Sequence, residues 1–85
     1  MSIMSYYMSC LLSKGAIMKV GNSLRVWRAK KGVSQQQLAD SVGLSRQTVN
    51  SIERGKFVPS VLTAMKLARY FDTSVDELFF MVEED

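Results

Sequence analysis

Residues 34–55, "SQQQLADSVGLSRQTVNSIERG", decide how this chain is read. In the first half, Leu38, Ala39 and Val42 recur at helical spacing; in the second, Val49 and Ile52 do. Ser34 and Gln37 form a Ser-x-x-Gln capping box that opens one helix, and Ser45 is placed to cap the next. The connection between them is about four residues, with Gly43 where the chain must turn sharply. Ala39 is small where the two helices would cross. The second helix is unusual. Val49 and Ile52 give it one narrow apolar stripe, while Arg46, Gln47, Thr48, Asn50 and Ser51 leave hydrogen-bonding groups on its other faces. No acid precedes Glu53, whereas a merely solvated helix would more often carry Glu/Lys pairs at i,i+4. Arg can fork onto guanine, Gln or Asn onto adenine, and Thr or Ser can reach phosphate or a thymine methyl. Such a helix suits a major groove.

Outward from this pair the punctuation stays helical. Asn22 or Ser23 can cap a first helix over about residues 24–31, closed by Gly32. Pro59-Ser60 ends one segment and caps a fourth helix, about 61–71. Ser74-Val75-Asp76-Glu77 is a further capping box, for a short fifth helix through about Phe80. The spacing predicts a core of Leu24 and Trp27; Leu38, Ala39 and Val42; Val49 and Ile52; Val61, Met65, Ala68 and Phe71 with Leu67 beside them; and Val75, Leu78 and Phe79. Val33 and Leu44 are placed to plug the corners. No strand-like alternation or repeat is visible. The expectation is an all-α, compact five-helix unit spanning 22–80.

Residues 1–21 differ from the rest: apolar, rich in Met and Ser, and without clear periodicity. A bilayer span needs ~20 predominantly apolar residues, and the serines interrupt this run too often. It also lacks the basic flank and small-residue cleavage site of a signal peptide. It is expected to be a loosely ordered extension, with Met18 offering a natural start. The sequence 81–85 is expected to be an acidic tail.

Eighty-five residues bound the chain to one domain. It has 1 cysteine and no histidine, which excludes an internal disulfide framework, His-based catalysis and His-containing zinc sites. No nucleophile–base pair or metal cluster is evident, so no catalytic or metal-binding residue and no cofactor is assigned. The net charge of +3 hides an asymmetry: up to Phe71 there are 11 basic and 2 acidic residues, and from Asp72 onward 6 acids and no base. A basic body with an acidic end suits a polyanion met on one side.

The run from Ser34 to Ser60 resembles the helix-turn-helix of the phage repressor/Cro (XRE) family, a lambda-repressor-like fold. Ser34-Gln35, Leu38-Ala39, Gly43, Ser45-Arg46-Gln47-Thr48, Ile52-Glu53, Gly55-Lys56 and Pro59-Ser60 fall in order at the family spacing. The likeness covers about residues 24–79. It implies that Arg46, Gln47, Asn50 and Ser51 face base edges. Gln35, Ser45, Thr48, Arg54 and Lys56 would hold the DNA backbone, with Gln35 also bracing the reading helix. Arg28 and Glu53 would form a structural ion pair. Asp72 departs from the pattern, standing where many members end a helix with Gly. The resemblance further implies a cytoplasmic, prokaryotic regulator, expected to repress as a homodimer on a palindromic double-stranded operator, with no membrane role. Phe80, Met81 and Val82 are the candidate self-association surface. The competing expectation is an antitoxin-like subunit with a protein partner, using the helix-turn-helix for autoregulation.

Overall fold

The computed structural model describes residues 17–84. The expected loose extension therefore lies outside the described residues up to position 16. The order is β1 (Ile17–Asn22), α1 (Leu24–Lys31), α2 (Gln35–Val42), α3 (Arg46–Glu53), α4 (Val61–Tyr70), α5 (Val75–Leu78) and β2 (Phe79–Glu84).

Local chemistry explains most boundaries. Ser34 Oγ accepts from the Gln37 N–H at 3.0 Å while Gln37 Oε1 accepts from the Ser34 N–H at 2.8 Å, the reciprocal box read from the sequence. Ser45 and Ser60 cap α3 and α4 by accepting from Thr48 and Thr63. Gly43 takes φ +75° at the turn between α2 and α3, a region costly for residues with a Cβ. At the start of α1 the capping side chain is that of Asn22, whose Oδ1 accepts from the Leu24 N–H at 3.1 Å. Ser23 makes no cap bond; its Oγ donates to the Glu77 carbonyl instead. The box expected at Ser74 does not form either. In that single turn the Glu77 N–H bonds the Ser74 carbonyl at 3.1 Å, so the main chain takes the donor.

The largest fully buried side chains are Leu24, Leu38, Val49, Ile52, Leu67 and Leu78, so every helix described contributes to one core. Val33 and Leu44 plug its corners, and Trp27, Val75 and Phe79 pack on it partly buried. The expected face of α4 needs correction. Val61 and Met65 are 77% and 56% exposed, and Ala64 is buried in their place. The small Ala64 lets the helix lie close to the body, and the larger residues turn outward.

The expectation of no strands is also corrected. β1 and β2 pair antiparallel, from Ile17 opposite Glu84 to Asn22 opposite Phe79. Residues 17–21 thus belong to the ordered domain, and 81–84 are a strand and not a free tail. α5 stops at Leu78, short of Phe80, because Phe79 is already extended. A lone two-stranded ribbon is marginal in water. This one is fastened at its closed end by the Ser23 N–H to the Leu78 carbonyl at 2.9 Å and by Asn22 Nδ2 to the Ile52 carbonyl at 2.8 Å. Gly21 faces Phe80 across the ladder, and a Cβ there would overlap the Phe80 ring. The aromatic ring occupies the space the missing side chain leaves.

Candidate nucleic-acid interface

α3 is held to the body from one side. Val49 and Ile52 are buried, and Glu53 extends the attachment with charge. Arg28 Nε and Nη2 donate to the two oxygens of Glu53 at 2.7 and 3.2 Å, a fork-on-fork pair between α1 and α3. Arg28 Nη1 also donates to the Val33 carbonyl at 3.0 Å, which fixes the corner leading into α2. The Glu53 side chain is fully shielded from solvent and that of Arg28 is 19% exposed. Burial alone would push the Glu53 carboxyl up. Hydrogen bonds from Arg28 and Gln35, with the Arg28 charge and Arg25, more than reverse this and hold it below the usual carboxylate range. The same pairing raises Arg28.

Gln35, the first residue of α2, joins this group. Its Nε2 donates to Glu53 Oε1 at 3.1 Å and to Asn50 Oδ1 at 3.2 Å. The side chain thus ties α2 to α3, and both amide hydrogens are spent doing so. The main-chain N–H of Gln35 has no intrahelical acceptor, being in the first turn. The main-chain N–H is thus the donor that this position still offers.

Of the residues expected at base edges, Arg46 and Gln47 are exposed on the first turn of α3, and Asn50 and Ser51 are half-buried one turn further. Ser45 and Thr48 share a hydrogen bond of 2.8 Å between their hydroxyls. A shallow depression is lined by Ser45, Gln47, Thr48, Ser51, Lys56 and Phe57. Arg54 and Lys56 stand exposed where α3 ends, with the Lys56 N–H on the Ser51 carbonyl at 2.9 Å. Phe57, half-exposed in that depression, was not singled out by sequence; the only available signal was an aromatic directly after Lys56.

The charge arrangement around the helix ends is selective. None of α1 to α4 has an acid in its first turn, whereas α5 has Asp76 and Glu77. Acids there would stabilise a helix by ~0.3–1 kcal/mol each. α3 even begins with Arg46, a cation at the positive end of the helix. Lys30 and Lys31 are used internally. Lys30 lies over the Trp27 ring at 4.8 Å and Lys31 over the Tyr70 ring at 3.8 Å. Lys31 also donates to the Tyr70 carbonyl, joining α1 to the end of α4.

Residues 24–78 match the family model described as helix-turn-helix. An uncharacterized HTH-type transcriptional regulator of Bacillus subtilis, YgzD, is 41% identical over 64 residues, covering 75% of this chain and 97% of its own length. The restriction-modification controller protein C.AhdI of Aeromonas hydrophila superposes with a TM-score of 0.60 at 41% identity, covering 64% of this chain and 82% of its own. The biofilm regulator SinR, solved in complex with DNA, superposes with a TM-score of 0.58 at 32% identity, covering 61% of this chain and 84% of its own. With the family model spanning all five helices and these relatives on both sequence and structure, the chain belongs to the helix-turn-helix family of transcriptional regulators.

Proposed function

We propose that this regulator binds a specific double-stranded DNA operator, with α3 in the major groove, and represses transcription by occupying the promoter. The observation that carries the proposal is the asymmetry of α3. One side is locked by Val49, Ile52 and the Arg28–Glu53 pair, and the other carries Arg46, Gln47, Asn50 and Ser51 with no acid in the first turn. The acid-free first turns of α2, α3 and α4 supply unneutralised helix N-termini of the kind that receive phosphates. Arg54 and Lys56 add backbone charge at the far end of α3. SinR, a structural neighbour, was crystallised with DNA, and C.AhdI is a controller protein.

Two copies bind two half-sites about one turn, ~34 Å, apart, since one small unit makes too few contacts to hold an operator tightly. Among the described residues, exposed apolar side chains offer surfaces for self-association. One is Phe80 on β2; another is the run Val58, Val61, Leu62 and Met65 at the start of α4.

Selection of bound duplexes from a random pool, followed by footprinting, tests the proposal. A palindromic consensus with centres one helical turn apart is expected. Binding that stays sequence-independent at physiological salt would defeat it.

A further inference from the structure

The polarity of the Asn50 amide is set by the buried charge behind it. Glu53, ionised and paired with Arg28, can only accept hydrogen bonds. The Gln35 amide that meets it at 3.1 Å must therefore present its Nε2 end. The second hydrogen of that same nitrogen is directed to Asn50 at 3.2 Å, so Asn50 must answer with Oδ1. Each amide orientation follows from the one before, starting from the carboxylate. Asn50 is left with Nδ2 pointing away from Gln35. No buried side-chain nitrogen or oxygen lacks a partner among the described residues, so Nδ2, which makes no hydrogen bond there, reaches solvent.

We infer that Asn50 reads the operator as a donor only, and that its target is guanine. The inference depends on the DNA-reading role proposed above and narrows it. An unconstrained Asn pairs with adenine by giving one hydrogen bond and accepting another. Here Oδ1 is turned toward Gln35 and the shielded Glu53 carboxylate behind it, so the second lone pair of that oxygen faces the body and the amide presents its Nδ2 end outward. Both hydrogens of Nδ2 remain, and the guanine edge offers two adjacent acceptors, O6 and N7. Thymine offers one acceptor, adenine one acceptor beside a donor, and cytosine a donor. Gln35 is then a positioning residue, acting on specificity through Asn50.

The test is duplex selection from a random pool with the full chain, run in parallel on the native protein and on the Asn50→Asp, Asn50→Ala and Gln35→Ala variants. Circular dichroism establishes that each variant is folded. Asn50→Asp still accepts from Gln35 but replaces the outward donor with an acceptor. The native consensus is expected to contain one guanine per half-site whose preference flattens in Asn50→Ala and turns toward cytosine in Asn50→Asp, with other positions kept. Replacing that guanine by 7-deazaguanine in the selected duplex should weaken native binding about tenfold. Gln35→Ala should admit adenine at the same position, which a merely structural loss would not do. If native specificity survives and no position responds to Asn50→Ala, the inference is overturned while DNA reading stands. An adenine at the responding position, with binding lost when its N6 amino group is removed, overturns it equally. Absence of any specific DNA binding overturns both.

Discussion

Arg28 Nε lies 2.7 Å from Glu53 Oε2, and the carboxylate it meets has no solvent exposure. Glu53 titrates below its ordinary value, so as pH falls the unfolded chain takes up this proton first. The stabilisation is complete above the ordinary glutamate pKa, ~4.3, and is lost as pH drops through it toward the folded value. Glu53→Gln should cost about 3 kcal/mol at pH 7, since Arg28 loses its partner charge. It should also flatten the acid limb of stability against pH. Urea melts at neutral and acid pH check both; an unchanged acid limb would assign the titration to other carboxylates.

Asn22 uses both ends of its amide, capping α1 with Oδ1 and holding the Ile52 carbonyl with Nδ2. Asn22→Ala should lose about 2 kcal/mol, roughly 1 for the cap and 1 for the bridging bond. Asn22→Ser keeps a side-chain oxygen for the cap and gives up the reach to the Ile52 carbonyl, so its loss should fall between those of the native residue and Ala. Equal melting curves for Ser and Ala would deny the cap a role.

Asp72 is the one non-glycine residue with positive φ among those described, at +55°. It ends α4 with its N–H on the Arg69 carbonyl and the Thr73 N–H on that of Ala68. This is a Schellman turn, usually built on glycine. Asp72→Gly should relieve backbone strain but enlarge the unfolded ensemble, for a net gain of about 0.5 kcal/mol. Thermal melts should shift upward by about 2–4 °C. A downward shift would mean that the Asp side chain contributes more than the conformation costs.

Arg46 opposes the dipole of the helix it begins. Arg46→Glu should therefore raise fold stability by about 0.3–1 kcal/mol while removing operator binding. Arg46→Ala should lower specific affinity by about 1–3 kcal/mol and relax preference at one base pair. Equal losses on operator and random DNA in a filter-binding assay would contradict a base-reading role.

Lys56 stands exposed after α3, beside the depression that reaches Ser45 and Thr48. Lys56→Ala should weaken binding to all sequences alike and reduce the slope of log affinity against log salt by about 1. A slope equal to that of the native protein would show that Lys56 touches no phosphate.

What the sequence made legible was local or strongly patterned. Ser34, Ser45 and Ser60 announce helix starts because a cap depends on residues two or three apart. The Arg28–Glu53 pair came from the family resemblance, since its members are far apart in sequence. On α4, Val61, Met65, Ala68 and Phe71 form a stripe adjacent to the buried one of Ala64, Leu67, Ala68 and Phe71. The two share their last turn, and size favoured the wrong one. The β1–β2 ribbon escaped because Lys19, Val20 and Gly21 give little alternation and "FFMV" is apolar throughout. Its register depends on a partner some sixty positions away. The resemblance implies that Gln35 braces the reading helix, but spacing does not say that it does so through Asn50, or which end of each amide faces inward.

The pairing of Ile17 with Glu84 gives the ribbon a topological consequence. The two extremities of the described fold lie one strand spacing apart, ~4.8 Å, so the domain is nearly a closed ring. A short glycine-rich joint between them would complete it. The chain could then be opened in the exposed segment at Phe57–Val58, between α3 and α4, giving a circular permutant with every helix intact. In such a molecule the ribbon becomes an internal hairpin, and its pairing no longer depends on bringing distant ends together.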